Sequence, residues 1–344
     1  MTRSREIRLQ SRPDGVPTRD NFELATVDVA APGAGEVQVK NLWMSVDPYM
    51  RGRMADRKSY VPPFEIGKAL QGGAVGEVVA SNDPAFLPGD LVSSMFGWRE
   101  VFNTPDQPLG QAKAGQGAML TKIETHGLPP QAFLGVAGMP GLTAYVGLLH
   151  IAALKKGDVV FVSAAAGAVG SVVCQIAKLK GHVVIGSAGG PEKIAFLKSI
   201  GVDHVIDYKA TPDVVSELGR LAPKGIDVYF DNVGGIHLEA ALAAARPFGR
   251  FALCGMISQY NETGPAVGPS NILLAVGKSL TLQGFIVSNH GDLQPAFVKD
   301  MSEWIAAGQM TWKETVEDGI ERAPEAFLKL FAGENLGKML VKLA

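Results

Sequence analysis

The clearest hydrophobic pattern of the chain lies near its middle. Residues 159–170 read VVFVSAAAGAVG, so a short apolar, β-branched run passes into small residues and glycines. Residues 171–180 then carry apolar positions at helical spacing. The pattern predicts a strand, a tight turn and a helix. The helix N-terminus would direct backbone N–H groups and a positive dipole end toward one point, which suits a pyrophosphate.

The alternation of apolar strands with helices continues beyond this turn. Apolar runs predict further strands, and the stretches between them predict helices, one of which opens at Pro191. This order is typical of an α/β, doubly wound parallel Rossmann sheet, which binds ligands beyond the carboxyl ends of its strands. The predicted strands are 182–188, 204–207, 225–235 (ending in a glycine turn), 250–255 and 280–287, and the predicted helices are 192–200, 213–221 and 238–245.

The first 130 residues have a different pattern. Short strands punctuated by glycine and proline are predicted at 36–40, 70–79 and 88–92, which indicates an irregular β-rich domain. Residues 312–344 have strand–helix–strand character, with the helix opened by Pro324, and are expected to complete that domain. The sequence therefore predicts two domains, with the substrate in the cleft between them. They are a β-rich substrate domain over 1–130, completed by 308–344, and a nucleotide-binding domain over 131–307.

Composition narrows the classes of function. The formal net charge of the 344 residues is −2, which gives no electrostatic basis for binding nucleic acid or an anionic membrane. The start of the chain lacks an apolar leader, and the uncharged stretch 134–154, rich in glycine, is predicted as a buried turn and helix. The two cysteines lack C-x-x-C spacing, so no metal is expected and a reducing, cytoplasmic setting fits.

The residues beyond the glycine turn favour NADP over NAD. The turn itself, Ala165-x-Gly167-x-x-Gly170, has alanine in place of the first glycine of the dinucleotide fingerprint. An NAD site usually has an acid about 20 residues further on, whereas residues 186–190 read GSAGG. A carboxylate there would repel a 2′-phosphate, so its absence permits NADP. Lys193 could supply positive charge and Tyr208 a hydroxyl, although an isolated lysine is usually a solvated one.

The sequence as a whole resembles the medium-chain dehydrogenase/reductase superfamily. Within it, the chain is similar to the zinc-free branch of prostaglandin reductases, alkenal double-bond reductases and bacterial curcumin reductase. Zinc enzymes of the superfamily need a first-domain Cys and a Gly-His-Glu segment, and the corresponding residues 66–70 read IGKAL. The stretches that carry the resemblance are VDPYMRGRM (46–54), GMPGLTAY (138–145), AAAGAVGS (164–171), FDNVGG (230–235), CGMISQYN (254–261) and GENLGK (333–338).

The resemblance implies a Rossmann domain with a β-rich, GroES-like catalytic domain, NADPH as cofactor, and a homodimer paired at the edge formed by residues 280–287. It also implies a set of cofactor contacts. These are Gly167, Ala168, Val169 and Gly170 at the pyrophosphate, Lys193 and Tyr208 at the 2′-phosphate, Asn232 near the ribose, Phe285, Ile286 and Val287 by the nicotinamide, and Met139, Cys254, Ser258, Gln259, Tyr260 and Asn335 elsewhere along it.

The implied reaction is reduction of the C=C bond of an α,β-unsaturated ketone or aldehyde, with hydride delivered to the β-carbon. Negative charge then develops on the carbonyl oxygen, where a neutral donor stabilises it. Tyr260 is the candidate donor, and the proton for the α-carbon comes from Tyr260 or from water. Tyr49 and Tyr60 are candidates to line the substrate pocket. Arg51 and Arg53 could meet a substrate carboxylate but are expected to be structural.

Two alternatives stay open at the level of sequence. One is an NADPH quinone reductase of the same superfamily, which differs in substrate only. The other is a non-catalytic NADPH-binding protein, in which Tyr260 is an ordinary tyrosine in a polar loop.

Overall fold

A computed structural model describes residues 1–104, 120–265 and 267–344, and it divides the chain into two compact units. The first unit comprises Met1–Leu134, Glu314–Asn335 and Met339–Ala344, and the second comprises Gly135–Lys313 and Leu336–Lys338. The chain thus builds most of the first unit, forms the second, and then returns to complete the first.

The strands are β1 (Thr2–Leu9), β2 (Phe22–Val29), β3 (Val37–Ser45), β4 (Ala74–Ser81), β5 (Leu91–Ser94), β6 (Val101–Asn103), β7 (Leu120–Lys122), β8 (Val159–Val162), β9 (Val183–Ala188), β10 (His204–Asp207), β11 (Ile226–Asp231), β12 (Ala245–Leu253), β13 (Thr281–Gly284), β14 (Glu314–Asp318) and β15 (Lys338–Lys342). The α-helices are α1 (Met50–Arg53), α2 (Met139–Tyr145), α3 (Gly170–Leu179), α4 (Pro191–Ser199), α5 (Val214–Leu221), α6 (Gly235–Ala244), α7 (Leu274–Gly277), α8 (Gln294–Ala306) and α9 (Ala323–Ala332). Among the shorter turns, Val146–Ile151 is a π-helix, and Ile257–Gln259 and Val287–Leu293 are 3₁₀-helices.

The first unit is built on antiparallel strands. One sheet has the order β14-β15-β3-β4-β5-β7, with β6 also paired to β3, and β1 and β2 form a separate two-stranded sheet. Its core is aromatic: the fully buried Trp98 stacks on Phe22 and meets the edge of Phe327, each with ring centroids 6.1 Å apart. Since Phe327 belongs to α9, the returning C-terminal segment completes the core of this unit.

The second unit is a parallel sheet with the order β10-β9-β8-β11-β12-β13. In sequence order within the unit this is 3-2-1-4-5-6, the doubly wound Rossmann arrangement. Its central strands β8, β9 and β11 are largely buried on both faces, as expected for a parallel sheet covered by helices on both sides. The core includes Phe161, stacked on Tyr229 at 5.1 Å, and Phe251, which meets the edge of Tyr229 at 5.4 Å. The order reverses between β8 and β11, and a parallel doubly wound sheet binds its ligand at that reversal.

The predicted α/β fold class is confirmed, and the elements differ from prediction mainly at their ends. Strand β12 begins at Ala245, five residues before the predicted start, since Ala245 already pairs with Ile226 ahead of a bulge. Strand β13 ends at Gly284, so the predicted strand 280–287 is shorter and Phe285 lies outside the sheet. The hairpin of β1 with β2 and helix α8 were not predicted. In the described part of the chain, no helix is long and apolar enough to cross a membrane.

Candidate functional site

The turn between β8 and α3 is built from small residues because the backbone folds tightly on itself. A Cβ on Gly170 would lie 2.4 Å from the carbonyl oxygen of Ala164, and one on Gly167 would lie 3.2 Å from the same atom. Ala164 has a positive φ of 45°. The turn therefore requires glycine at 170, while the alanine at 165, whose N–H donates to the Ser187 carbonyl at 2.9 Å, is accommodated.

Helix α3 begins at this turn, and its N-cap residue Val169 provides no side-chain hydrogen bond. The first N–H groups of a helix lack intrahelical acceptors and carry the positive end of the dipole. The backbone N–H groups of Ala168, Val169 and Gly170 lie at this helix N-terminus, an arrangement that suits an anionic group.

The segment Leu336–Lys338 packs on the same turn. Gly337 pairs with Gly167, and its N–H donates to the carbonyl of Ala166 at 2.8 Å. Gly337 has a positive φ of 69°, and a Cβ there would lie 1.9 Å from the Lys313 carbonyl oxygen, so only glycine fits. Asn335 lies two residues earlier, in the half-buried turn after α9.

The carboxyl ends of β9 and β10 bring the predicted 2′-phosphate residues toward one turn. Tyr208 follows β10 and donates its N–H to the Ala188 carbonyl at 3.2 Å. Its ring carbon Cζ would lie 2.9 Å from a Cβ on Gly189, and Lys193 is in the first turn of α4, two residues after Pro191. Burial, followed by the charge of Lys209, lowers the pKa of Lys193, which indicates that a second lysine lies near the first.

Asp207, at the end of β10, is a carboxylate that the sequence reasoning did not consider for this turn. Its Oδ1 accepts N–H groups from Gly190 and Lys209, both at 3.1 Å. Residues 186–190 contain no acid. Asp207 does not take the place of that acid with a free Oδ1, because this oxygen already accepts two backbone N–H groups.

The carboxyl ends of β11 and β12 bring together the predicted residues of two loops. The Asp231 carbonyl accepts the N–H groups of Cys254 at 2.9 Å and Gly255 at 3.0 Å. The Ser258 hydroxyl donates to the Val233 carbonyl at 2.6 Å. These bonds fasten the loop 254–260 to the loop 231–235.

Tyr260 ends the short 3₁₀-helix of this loop. Its hydroxyl accepts the N–H of Met256 at 3.4 Å and would lie 3.0 Å from a Cβ on Gly255. The phenol therefore folds back over a backbone that has no side chain at 255. Gln259, beside it, donates from Nε2 to the Val267 carbonyl at 3.0 Å.

Phe285, Ile286 and Val287 follow β13. Phe285 is buried and meets the edge of Phe230 with ring centroids 6.3 Å apart, whereas Ile286 is extended and Val287 starts a 3₁₀-helix. A Cβ on Gly147 would come within 2.6 Å of both aromatic rings, so the π-helix needs glycine there.

Met139 is the first residue of α2. It is 43% exposed, and its carbonyl accepts the Thr143 hydroxyl at 2.7 Å. The side chain at the start of this helix is thus available for contact with a ligand.

The predicted substrate residues Tyr49 and Tyr60 both belong to the first unit. Tyr49 precedes α1 and packs against the aromatic core, and burial, followed by the charge of Asp47, raises the pKa of its phenol. Tyr60 is 62% exposed. Tyr49 is therefore half-buried, and Tyr60 lies on the surface of the first unit.

Arg51 and Arg53 are both buried, and both guanidinium groups bind other parts of the protein. Arg51 donates to the Gly15 carbonyl at 2.8 Å. Arg53 donates to the Pro62 carbonyl at 2.9 Å and to Gln71 Oε1 at 2.8 Å, and it lies 4.1 Å over a phenyl ring. These contacts agree with the structural role expected for both arginines.

Sequence reasoning missed three polar residues beneath the loops, namely Ser163, Tyr229 and Asp231, all fully buried. Asp231 Oδ1 accepts the Tyr229 hydroxyl at 2.7 Å and the Ser163 hydroxyl at 3.2 Å, and it also accepts the N–H groups of Val233 at 2.9 Å and Gly234 at 2.8 Å. Burial raises the pKa of Asp231, although these donors oppose the shift. Ser163 and Asp231 are marked in the sequence as polar residues at the ends of two apolar strands, whereas Tyr229 lies inside β11 and has no such signal.

Two family models match the chain. One, described as the N-terminal domain of oxidoreductase, matches residues 5–111, and the other, described as zinc-binding dehydrogenase, matches residues 168–306. Within residues 1–104, 120–265 and 267–344, no group of three or more His, Cys, Asp or Glu is placed to hold a metal ion.

Relatives that match over their full length define the family more narrowly than the two domain models do. The chain is 40% identical to the NADPH-dependent curcumin reductase of Escherichia coli (strain K12), covering 99% of this chain and 97% of that protein. It is 40% identical to the 2-alkenal reductase (NADP(+)-dependent) of Nicotiana tabacum, covering 99% and 98%. The crystal structure of CurA in complex with NADPH from Vibrio vulnificus matches with a TM-score of 0.91 at 40% identity, covering 99% of both chains.

These likenesses extend over both units rather than over the nucleotide-binding fold alone. The chain belongs to the medium-chain dehydrogenase/reductase superfamily, in the branch of the curcumin, alkenal and prostaglandin reductases.

The thiol of Cys254 is predicted to be unreactive in the folded protein. Burial, followed by the Asp231 charge, raises its pKa to about 12, and burial also raises the pKa of Cys174. Only the thiolate reacts, so at pH 8 native thiols should react with Ellman's reagent roughly three orders of magnitude more slowly than a free cysteine. The rate should rise with pH between about pH 7 and 9, because the thiolate fraction rises with pH over that range.

The control is the same protein unfolded in guanidinium chloride, in which both cysteines should react fast. A native thiol that reacts at the free-cysteine rate at pH 8 would show that the loop at 254 is open.

Proposed function

We propose that this chain reduces the C=C bond of α,β-unsaturated ketones and aldehydes with NADPH. The relatives named as NADPH-dependent curcumin reductase and 2-alkenal reductase support this activity at 40% identity over the full chain. The observation that carries the proposal is the placement of Tyr260. Its hydroxyl lies on a loop that is hydrogen-bonded to the segment of Asn232, at the carboxyl edge of the parallel sheet.

The residues of the second unit fit NADPH. Gly167 to Gly170 would bind the pyrophosphate, because their turn ends in helix N–H groups that no side chain caps. Lys193 and Tyr208 would bind the 2′-phosphate, with Lys209 close to both. The other contacts from this unit would come from Met139, Asn232, Cys254, Ser258, Gln259, Tyr260, Phe285, Ile286 and Val287. The resemblance also implies a contact from Asn335, which ends a segment of the first unit. When bound, the reduced nicotinamide supplies the hydride that adds to the β-carbon of the substrate.

Tyr260 would act on the carbonyl end of the substrate. As the β-carbon gains hydride, negative charge moves to the carbonyl oxygen, and a neutral phenol O–H donates a hydrogen bond to it. One such donor contributes roughly 2.7–4 kcal/mol to stabilising an oxyanion. The loop fixes the phenol before substrate arrives, so little reorganisation is needed in the reaction.

We propose that Tyr49 and Tyr60 contact the substrate. Both are phenols with apolar rings, which suits a conjugated carbonyl compound better than a charged one. Arg51 and Arg53 are assigned no contact with substrate, because the protein already binds their guanidinium groups.

We further propose a homodimer in a cytoplasmic setting. Strand β13 is the last strand of its sheet, and Thr281, Gln283 and Gly284 on it are exposed. An exposed sheet edge presents backbone groups that a second copy can pair across a two-fold axis. The mass in solution should then be twice the 36.3 kDa of one chain, and light scattering that gives the monomer mass would contradict the dimer.

The activity is tested with a panel of conjugated enals and enones and deuterium-labelled NADPH. The label is expected on the β-carbon of the product, and a saturated alcohol with NADP⁺ should give little turnover. Oxidation of NADPH by a quinone but by no enone would indicate a quinone reductase. Tight binding of NADPH without turnover on any of these would indicate a binding protein.

Replacement of Tyr260 by phenylalanine should lower kcat roughly 10- to 1000-fold while leaving NADPH affinity nearly unchanged. The change removes the donor to the carbonyl oxygen and retains the ring. Steady-state kinetics with one enone, and fluorescence titration with NADPH, measure the two effects.

The matched control is Tyr145→Phe, which removes a hydroxyl that donates to Asp300 at 2.8 Å elsewhere in the same unit. It should leave kcat within about twofold. An unchanged rate in Tyr260→Phe would remove Tyr260 from the mechanism.

Replacement of Lys193 by alanine should raise the Kd for NADPH about tenfold and the Kd for NADH much less. The expected reason is that only NADPH carries the 2′-phosphate. Lys198→Ala, on the exposed side of the same helix, serves as the control and should change neither constant. An equal effect of Lys193→Ala on both cofactors would refute the phosphate contact.

A further inference from the structure

The reversal of strand order lies between β8 and β11, and polar residues stand at the end of both strands. Ser163 directly follows β8, and Asp231 ends β11, with Asn232 next. The backbone N–H of Ser163 donates to the Phe230 carbonyl at 3.2 Å, which continues the pairing of the two strands to their last residues. A doubly wound sheet binds its ligand at the carboxyl edge of its strands, so Ser163, Asp231 and Asn232 lie beneath the proposed cofactor site.

Ser163 holds Asn232 by two hydrogen bonds. Its Oγ accepts the backbone N–H of Asn232 at 2.9 Å, and its carbonyl accepts the Asn232 side-chain amide at 2.8 Å. The backbone and the side chain of Asn232 are therefore both oriented by one residue of the neighbouring strand.

Asp231 holds the two loops above it. Its Oδ1 accepts the N–H groups of Val233 and Gly234, and its carbonyl accepts those of Cys254 and Gly255. The Ser163 hydroxyl donates to the same Oδ1 at 3.2 Å, so the two residues form one network.

The network is not explained by stability alone. Among the described residues, Asp231 Oδ2 is buried without a hydrogen-bond partner. An orphaned carboxylate oxygen carries a desolvation penalty, which offsets part of the stability that Oδ1 gains from its donors. A function that needs the other oxygen in place accounts for its presence.

We propose that Ser163 and Asp231 are positioning residues for NADPH, which they do not need to touch. Ser163 orients Asn232, and the Asp231 side chain orders the loop 231–235, to which the loop 254–260 is hydrogen-bonded through the backbone carbonyl at 231. The proposal rests on the proposed binding of NADPH, and it adds two residues that act through their neighbours.

The test compares Ser163→Ala with Ser4→Ala. Ser4 is also a buried serine, 1% exposed, whose hydroxyl accepts the Val101 N–H at 2.9 Å and donates to the Val101 carbonyl at 3.0 Å, but it belongs to the first unit. Both changes remove one buried hydroxyl from an N–H acceptor role, so both should lower Tm by similar amounts. Ser163→Ala should raise the Kd for NADPH roughly tenfold, and Ser4→Ala should leave it within twofold.

A Kd for NADPH that is the same in the two variants would overturn the proposal. Any loss of NADPH binding would then reflect the loss of stability that both variants share. The kinetic split separates the two cases further. Ser163→Ala should raise the KM for NADPH and leave kcat at saturating NADPH within about threefold, whereas a purely structural loss lowers the active fraction, and with it kcat, without changing Kd.

If Ser163→Ala does not fold, Tyr229→Phe decides instead. It removes the hydroxyl that donates to Asp231 Oδ1 at 2.7 Å and keeps the packed ring. A Kd raised at least threefold relative to Ser4→Ala would support the proposal, and an equal Kd would contradict it.

The wild-type protein separates this proposal from the proposed function. If it binds NADPH but reduces no enone, the activity is wrong, and the Kd comparison still decides the role of Ser163. If it binds no NADPH, both are wrong.

Discussion

A single buried carboxylate fixes the arrangement of the carboxyl edge of the parallel sheet. Where β8, β11 and β12 end, the regular pairing stops, and the backbone donors of the following loops need other acceptors. Asp231 provides them with one side-chain oxygen and its own carbonyl, which together bind donors from Ser163, Tyr229 and both loops. Without its side chain, the N–H groups of Val233 and Gly234 would lose their acceptor.

The second unit is stabilised by an apolar core away from this edge, so the edge itself can carry polar residues. Its strands pack through Phe161, Tyr229 and Phe251, and helices cover both faces, so stability resides in the apolar interior. The ends of the strands are then free to carry glycines and hydrogen-bonding side chains. This separation explains why one fold tolerates many ligands, and why the family is recognised by its loops.

The predictable part of the site is local in sequence. The glycine turn could be identified because Gly167 and Gly170 stand between a strand and a helix, and the loop 254–260 because its residues are contiguous. Asp207, by contrast, reaches Gly190 from a strand that follows the whole of α4. Ser163 and Asp231 meet across 68 residues of chain. Neither juxtaposition follows from spacing, because it depends on which strands are neighbours and in which register.

Three features could be predicted from the sequence alone: the two kinds of sheet, the glycine turn of nucleotide-binding type, and the polar or apolar character of the loops. Each depends on hydrophobic periodicity, small residues or helix capping, which act over a few neighbouring positions. The tertiary structure decided that β13 stops at Gly284, that Arg51 and Arg53 are bound by the protein, and that two polar strand ends form one network. The physical reason is that a hydrogen bond between distant residues forms only after the core has set the register of their strands. Before the core forms, water is an equally good hydrogen-bond partner for each of those polar groups.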